Sequence, residues 1–291
     1  MTFFDALQTS PTLLMTSVVL LGLCVGSFLN VVAYRLPQRI EQDFRKASFD
    51  SYGVPAGADQ EPPISLMRPG SHCPACKTAI KPWHNLPVLG WLLLRGRCAS
   101  CGNSISVQYP IVEAVTGLMS AVCVWRFGYS AELAAALVLT WALVALTVTD
   151  LKTMFLPDDL TLPLLWLGLL LSIKGVFVAP TASILGAALG YGVLWGLFHL
   201  FKLATGKEGM GYGDFKLMGA LGAWLGWQAL PQIVLLSALV GAAIGIGLML
   251  GRRAEWSSRI PFGPYIAGAG WIALLWGESI NRGYMNYAGL H

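Results

Sequence analysis

Apolar positions in this chain fall in long blocks instead of alternating with polar ones. Runs near the ~20 residues that cross a hydrocarbon layer predict a first helix at about 12–34, followed by a polar stretch at about 35–109. Further spans are predicted near 110–127, 131–149, 159–178, 182–203, 215–230, 232–251 and 262–280, with Pro231 alone dividing the sixth from the seventh. The expected fold is an all-α polytopic membrane protein of about eight transmembrane helices, with a small polar domain inserted after the first. Three segments follow: 1–34 as the first transmembrane helix, 35–109 as the inserted loop, and 110–291 as a multi-helix membrane domain. Residues 50–63 (DSYGVPAGADQEPP) predict a flexible linker inside the insert. No internal repeat or low-complexity tract is apparent. Asp5 precedes the first apolar run and no Lys or Arg does, so the run lacks the basic start of a cleaved signal and reads as a retained span.

Composition agrees. Charged residues make up 12% of the 291, against roughly 25% in soluble domains, and the mean hydropathy is +0.62. The net charge of +4 says little, but its distribution says more. Sixteen of the 19 basic residues fall on one side of the eight-span arrangement, and only Arg126, Lys174 and Arg282 on the other. The positive-inside rule makes the rich side cytoplasmic. The insert is then cytoplasmic, and both chain ends lie on the opposite side.

Two motifs carry metal chemistry. HCPAC (Cys73, Cys76) and CASC (Cys98, Cys101) are two CxxC pairs with 21 residues between them, one beyond the usual zinc-ribbon gap. Each pair can grip a metal with two thiolates, and two pairs complete a tetrahedron of sulfurs. A structural zinc site is the expected reading; redox-active or idle thiols are the alternative, and disulfides suit a cytoplasmic loop poorly. A closed four-sulfur site would fold the loop without catalysing. His72 is a possible substitute ligand or simply a solvent-facing neighbour. Cys24 and Cys123 fall in spans and read as small apolar filler.

Carboxylates at a membrane edge are costly and mark candidate sites. Asp150 ends the third predicted span, and Asp214 opens the sixth in EGMGYGDFK (208–216), both at cytoplasmic helix ends; Glu113 lies at a similar level. Taken singly, Asp214 reads as a helix cap and Asp150 as a charge reaching water. Taken together, two neighbouring aspartates do peptide chemistry: the ionised one takes a proton from water while the protonated one donates to the scissile carbonyl. Gly209, Gly211 and Gly213 would permit positive φ and let an extended substrate pass close to the acid.

Gly211-Tyr-Gly213-Asp214 resembles the GxGD motif of intramembrane aspartyl proteases. A wider set resembles the type IV prepilin leader peptidases in order and over essentially the whole chain. It comprises GSFLNVVAYRLP (26–37), the two CxxC pairs, Asp150 with LPD (156–158), GMGYGDFKLMGALGAWLGW (209–227) and IPFGPYIAGAGW (260–271). The resemblance implies a bifunctional enzyme, multi-pass in the bacterial inner membrane, with its active site and zinc loop facing the cytoplasm. It would cleave the basic leader of type IV prepilins and type II secretion pseudopilins after glycine. It would then methylate the new N-terminal residue, usually phenylalanine, using S-adenosylmethionine. Asp150 and Asp214 match the catalytic aspartates, and Cys73, Cys76, Cys98 and Cys101 the zinc ligands. The implied partners are pilin precursors and membrane lipid; nucleic acid is not among them.

Other features read without such a role. Asp158, Asp159 and Glu208 would attract the leader's positive charges or stand as ordinary solvated acids. GLCVGSFLN (22–30) is glycine-bearing, which suits helix packing better than a cofactor loop, and no GxGxxG or βαβ pattern marks a methyl-donor site. His199 reads as an interfacial packing residue or a proton carrier. Trp224, Trp227, Trp271 and Trp276 fit an interfacial aromatic belt. A GxGD protease with another client, or an ion-coupled transporter or assembly scaffold, is the competing assignment.

Overall fold

The computed structural model describes residues 3–51, 64–67, 70–206, 210–251, 260–287 and 289. The expected linker lies outside these residues from position 52 on, as do Arg68, Lys207, Glu208, Gly209, Arg252, Arg253 and Arg259. The described chain is helical at each predicted span. Its only β pairing is two isolated bridges, His72 with Ala79 and Arg97 with Ser104.

The helices are α1 (Phe3–Thr9), α2 (Pro11–Ser51), α3 (Leu89–Leu93), α4 (Gln108–Phe127), α5 (Ala131–Thr153), α6 (Asp158–Ile173), α7 (Pro180–Thr205), α8 (Tyr212–Leu225), α9 (Leu230–Leu250) and α10 (Gly263–Tyr287). Among the described residues, five helical stretches are long and apolar enough to cross a membrane: those of α2, α4, α5, α7 and α9. Helices α6 and α8 have 16 and 14 residues, and α10 carries Glu278 and Arg282 in its second half.

Two boundaries differ from expectation. Helix α2 continues past the apolar run, through Pro37, to Ser51. Its polar extension is laced by Arg39–Asp43 and Glu41–Arg45 pairs at i,i+4, which support a helix beyond the apolar run. The sixth and seventh spans part at Gly226, not Pro231. Gly226 takes φ 79°, a 3-10 turn spans Trp227–Ala229, and Pro231 sits in the first turn of α9. Proline is at ease there because the first-turn N–H has no helical partner in any case.

Two compact units divide the chain at residues 129 and 130. In the first, α2 and α4 pack antiparallel through small residues. A Cβ on Gly22 would lie 2.5 Å from Ser120 Oγ, and one on Gly26 would lie 2.8 Å from Glu113 Cα. The glycines of GLCVGSFLN therefore serve helix packing.

In the second unit α8 is the hub. Phe215, Leu217, Met218, Ala220, Leu221, Ala223 and Trp224 are at most 1% exposed. Helix α7 lies against it backbone to backbone: a Cβ on Gly186 or Gly222 would stand about 2 Å from the other's carbonyl oxygen. Helix α6 meets it at Gly168, where Trp224 Nε1 donates to the Leu164 carbonyl at 2.7 Å. Helix α10 meets it at Gly270, over Leu221. On α5, Thr140 Oγ1 accepts from Trp271 Nε1 at 3.1 Å. Trp224 is therefore a core residue and Trp271 an interhelix strut, while Trp227 and Trp276 keep exposed faces as a belt requires.

Candidate functional site

The four cysteines come together in the first unit. Their sulfurs all lie within 4.8 Å of one another, with Cys73 to Cys101 at 3.8 Å and Cys76 to Cys98 at 3.9 Å. Four sulfurs 2.3 Å from one tetrahedral ion are about 3.8 Å apart, so the donor set fits zinc in number, type and spacing. The cluster is built from two copies of one turn. Cys73 N–H donates to the Thr78 carbonyl and Cys98 N–H to that of Asn103; Lys77 N–H returns to Cys73 and Gly102 N–H to Cys98. Lys77 (φ 57°) and Gly102 (φ 72°) both take the left-handed conformation, and each turn is closed by one of the two bridges. Every element of the first turn recurs 25 positions later. Of the side chains only the two cysteines and a following isoleucine (Ile80, Ile105) repeat with the backbone bonding, so the residues reveal the metal pairs but not the shared turn. His72 stays outside the cluster, with Nδ1 2.9 Å from the Gly70 carbonyl oxygen.

The thiols differ in acidity. Cys76 is pulled down to about 6, first by the Thr78 hydroxyl and then by its backbone amide. Cys98 is lowered by the Cys101 and Ser100 amides. Cys101 goes the other way: the Asn103 amide lowers it, but the Cys76 thiol, burial, and the Cys98 and Cys73 thiols together push it to about 11. Four thiolates this close need a cation among them.

In the second unit three helix ends converge on two aspartates. Asp150 is in the last turn of α5, which closes on Met154 in the left-handed conformation (φ 53°). Asp214 is the third residue of α8. Its Oδ2 accepts the Gly211 N–H at 3.2 Å, the acid half of a capping box. Asp150 Oδ2 accepts the N–H of Gly263, the first residue of α10, at 3.0 Å. Both side chains are buried, at 5% and 7% exposure, and close enough for their charges to interact. Leu156 packs against the first turns of both α8 and α10. A Cβ on Gly213 would lie 2.7 Å from Leu156 Cβ, and one on Gly263 would lie 3.2 Å from Leu156 Cδ1. Oδ1 of each aspartate has no hydrogen-bond partner among the described residues, and the N-terminal dipoles of α8 and α10 face the pair. The arrangement holds two carboxylates by one oxygen each and leaves the other pair for chemistry.

The glycines act differently from expectation. Neither Gly211 (φ −83°) nor Gly213 takes a positive φ. Gly213 is glycine because Leu156 fills the space of a side chain. Beside Gly211 there is room, with only Asp214 Oδ2 at 3.7 Å from its would-be Cβ. Asp158 is not a free acid: Lys216 Nζ pairs with it at 2.6 Å. Glu208 lies outside the described residues, leaving Asp159 alone of the three. His199 is packed against the Trp195 and Phe198 rings at 4.3 and 5.2 Å. Glu113, in the first unit, accepts the Val88 N–H at 2.7 Å. Sequence reasoning gave no role to Gly263 or Leu156. The usable signal was Gly263-Pro264 opening an apolar run, which is a helix start with no side chain at its first position.

Two family patterns match the chain. The one described as the bacterial peptidase A24 N-terminal domain covers residues 20–127, and the one described as the type IV leader peptidase family covers 137–246, including both aspartates. Curated relatives include the prepilin leader peptidase/N-methyltransferases of Aeromonas hydrophila (55% identical, 94% of this chain and 95% of the relative), Pseudomonas aeruginosa (47%, 99% and 99%) and Neisseria gonorrhoeae (43%, 90% and 90%). No solved structure matches. With identity at this level over almost the entire length, and the paired aspartates inside the matched region, the chain belongs to the type IV leader peptidase family.

Proposed function

We propose that the chain is a multi-pass inner-membrane enzyme that removes the basic leader of type IV prepilins and type II secretion pseudopilins. It cuts after glycine on the cytoplasmic side, and it methylates the new N-terminal amine, usually of phenylalanine. The observation that carries this reading is the convergence of Asp150 and Asp214 at three helix ends. Relatives bearing the prepilin leader peptidase/N-methyltransferase name support the substrate class.

Asp150 and Asp214 are the catalytic pair. One carboxylate, ionised, takes a proton from the attacking water as its oxygen adds to the scissile carbonyl; the other, protonated, donates to the carbonyl oxygen. The tetrahedral intermediate collapses as the leaving amine takes up a proton. The pair titrates as a unit. The Gly211 and Gly263 amides fix one oxygen of each acid, so the free oxygens need little reorganisation. An extended substrate backbone would approach beside Gly211, where a side chain would meet only Asp214 Oδ2.

Cys73, Cys76, Cys98 and Cys101 would hold zinc. With four sulfurs and no open position the ion would fold the 35–109 insert and supply no catalytic water. S-adenosylmethionine enters as a second substrate that provides an electrophilic methyl group. The described residues contain no βαβ unit to seat it.

Mixing the purified protein with a prepilin should give a leader-sized mass loss, followed by a methyl-sized gain once S-adenosylmethionine is added. Failure to shorten any prepilin would refute the assignment. A narrower expectation concerns Gly263. In Gly263→Ala the new Cβ would stand 2.6 Å from Asp150 Oδ2, pushing the acid off the amide that holds it. A displacement near 1 Å costs about 10²-fold in rate. Cleavage should fall by that order in kcat while the melting temperature changes little; wild-type kcat would show that the contact does not position Asp150.

A further inference from the structure

The first unit contains a second buried carboxylate that the cleavage chemistry does not use. Glu113 is 7% exposed and sits in the second turn of α4. Its carboxylate accepts the Val88 N–H at 2.7 Å and has the Ser27 hydroxyl as a neighbour. Among the described residues no Lys or Arg pairs with it. A buried carboxylate with neutral neighbours and no cation still favours one.

A second observation lies one helical turn along the same seam. Asn30 is 2% exposed, and its Nδ2 donates to the Gly26 carbonyl on α2 and the Tyr109 carbonyl on α4, both at 3.2 Å. Its Oδ1 is buried without a partner. Nδ2 thus fixes the side chain across the seam and leaves an acceptor unfilled, which is rare and calls for a cause. Gly26 connects the two residues: its carbonyl binds Asn30, and its Cα packs against Glu113. At the start of α4, Gln108 Nε2 is a buried donor also lacking a partner. A carboxylate without a cation, an empty acceptor and an empty donor match the N-terminal residue of a peptide, which offers an ammonium, an N–H and a carbonyl.

We propose that the α2/α4 seam at Asn30 and Glu113 binds the primary amine that the chain methylates, with Glu113 as the base. The step balances as follows. Glu113 takes a proton from the ammonium, leaving a neutral amine. The nitrogen lone pair forms an N–CH3 bond while the S–CH3 bond of a methylsulfonium donor breaks, its electron pair remaining on sulfur. The product is a methylammonium and a neutral thioether, and the proton on Glu113 passes to water. Asn30 accepts the first peptide N–H and orients the nitrogen. This inference rests on the methyltransferase half of the proposed function.

The test uses full-length protein in detergent and a peptide with a free N-terminal phenylalanine, already lacking its leader, so that methylation is read apart from cleavage. Glu113→Gln should lower methylation about 10²-fold, the usual worth of a general base. Asn30→Leu, which keeps the volume and removes the acceptor, should raise KM more than it lowers kcat. Without methyl donor, wild-type protein should bind the free-amine peptide more tightly than its N-acetyl counterpart, and both variants should lose that preference. Cleavage of intact prepilin should persist in both. Unchanged methylation and unchanged amine preference would overturn the proposal; so would a joint loss of cleavage and methylation, which would mean that the seam only holds the fold. Failure of the dyad is read separately, since Asp150→Asn protein should still methylate the pre-cleaved peptide. Should the protein cleave nothing, the amine preference still decides.

Discussion

Asp214→Asn protein should insert and keep its helices yet lose leader cleavage by roughly 10⁴-fold, and Asp150→Asn should lose as much. The double variant should be scarcely worse than either single one, because residues that act as a unit lose their effect together. The structure makes asparagine the informative substitution. Each aspartate accepts a backbone N–H through Oδ2, and an asparagine side-chain oxygen can do the same. The helix ends stay together while the proton chemistry disappears. Measured kcat on a prepilin, with circular dichroism as the folding control, decides the matter. Cleavage surviving in either single variant, or losses that add across the pair, would remove the dyad from the mechanism.

Stripping the metal should have an equally large effect on a different quantity. Structural zinc in comparable four-ligand sites contributes roughly 10–16 kcal/mol at neutral pH, far more than the few apolar contacts inside the small insert can replace. A chelator, or Cys98→Ser, should unfold residues around 70–105 and expose them to protease while the second unit keeps its melting behaviour. The sign of the pH dependence follows from the thiols. At pH 7 Cys76, at about 6, is already largely thiolate, whereas Cys101, at about 11, is a thiol. Binding must drive the Cys101 proton off, so affinity rises with pH and falls as acid returns the protons. Titration calorimetry in buffers of different ionisation enthalpy should register proton release at pH 7. An insert equally folded without metal would overturn the structural role.

The sequence was most informative where chemistry forces a residue type. Two CxxC pairs admit few uses, and a carboxylate at the edge of an apolar run demands explanation, so the cysteines and both aspartates could be singled out. Hydropathy also located the helices, but it does not say whether an apolar face meets lipid or protein. Hydropathy therefore makes Trp224 a belt residue although it is buried against α6, and α8 an ordinary span although it is a short hub. Contacts between segments far apart in the chain left no local trace. Examples are the Gly263 amide on Asp150, 113 positions away, and Lys216 on Asp158, 58 positions away. Gly213 illustrates the limit. Its type was conspicuous, but its cause, the Leu156 side chain, lies outside its own motif.

The two turns of the metal insert repeat at an offset of 25 residues, so an ion gripped by both does more than fill a tetrahedron. It ties the chain into a ring of about that size, in the unfolded state as well as the folded one wherever the thiolates stay bound. Loop-closure entropy for such a ring is worth roughly 3–4 kcal/mol. A disulfide would constrain the chain comparably, but reductants would cleave it. A sulfur-bound ion instead forms a cross-link that answers to metal supply and acidity, and it can be undone and remade without oxidant.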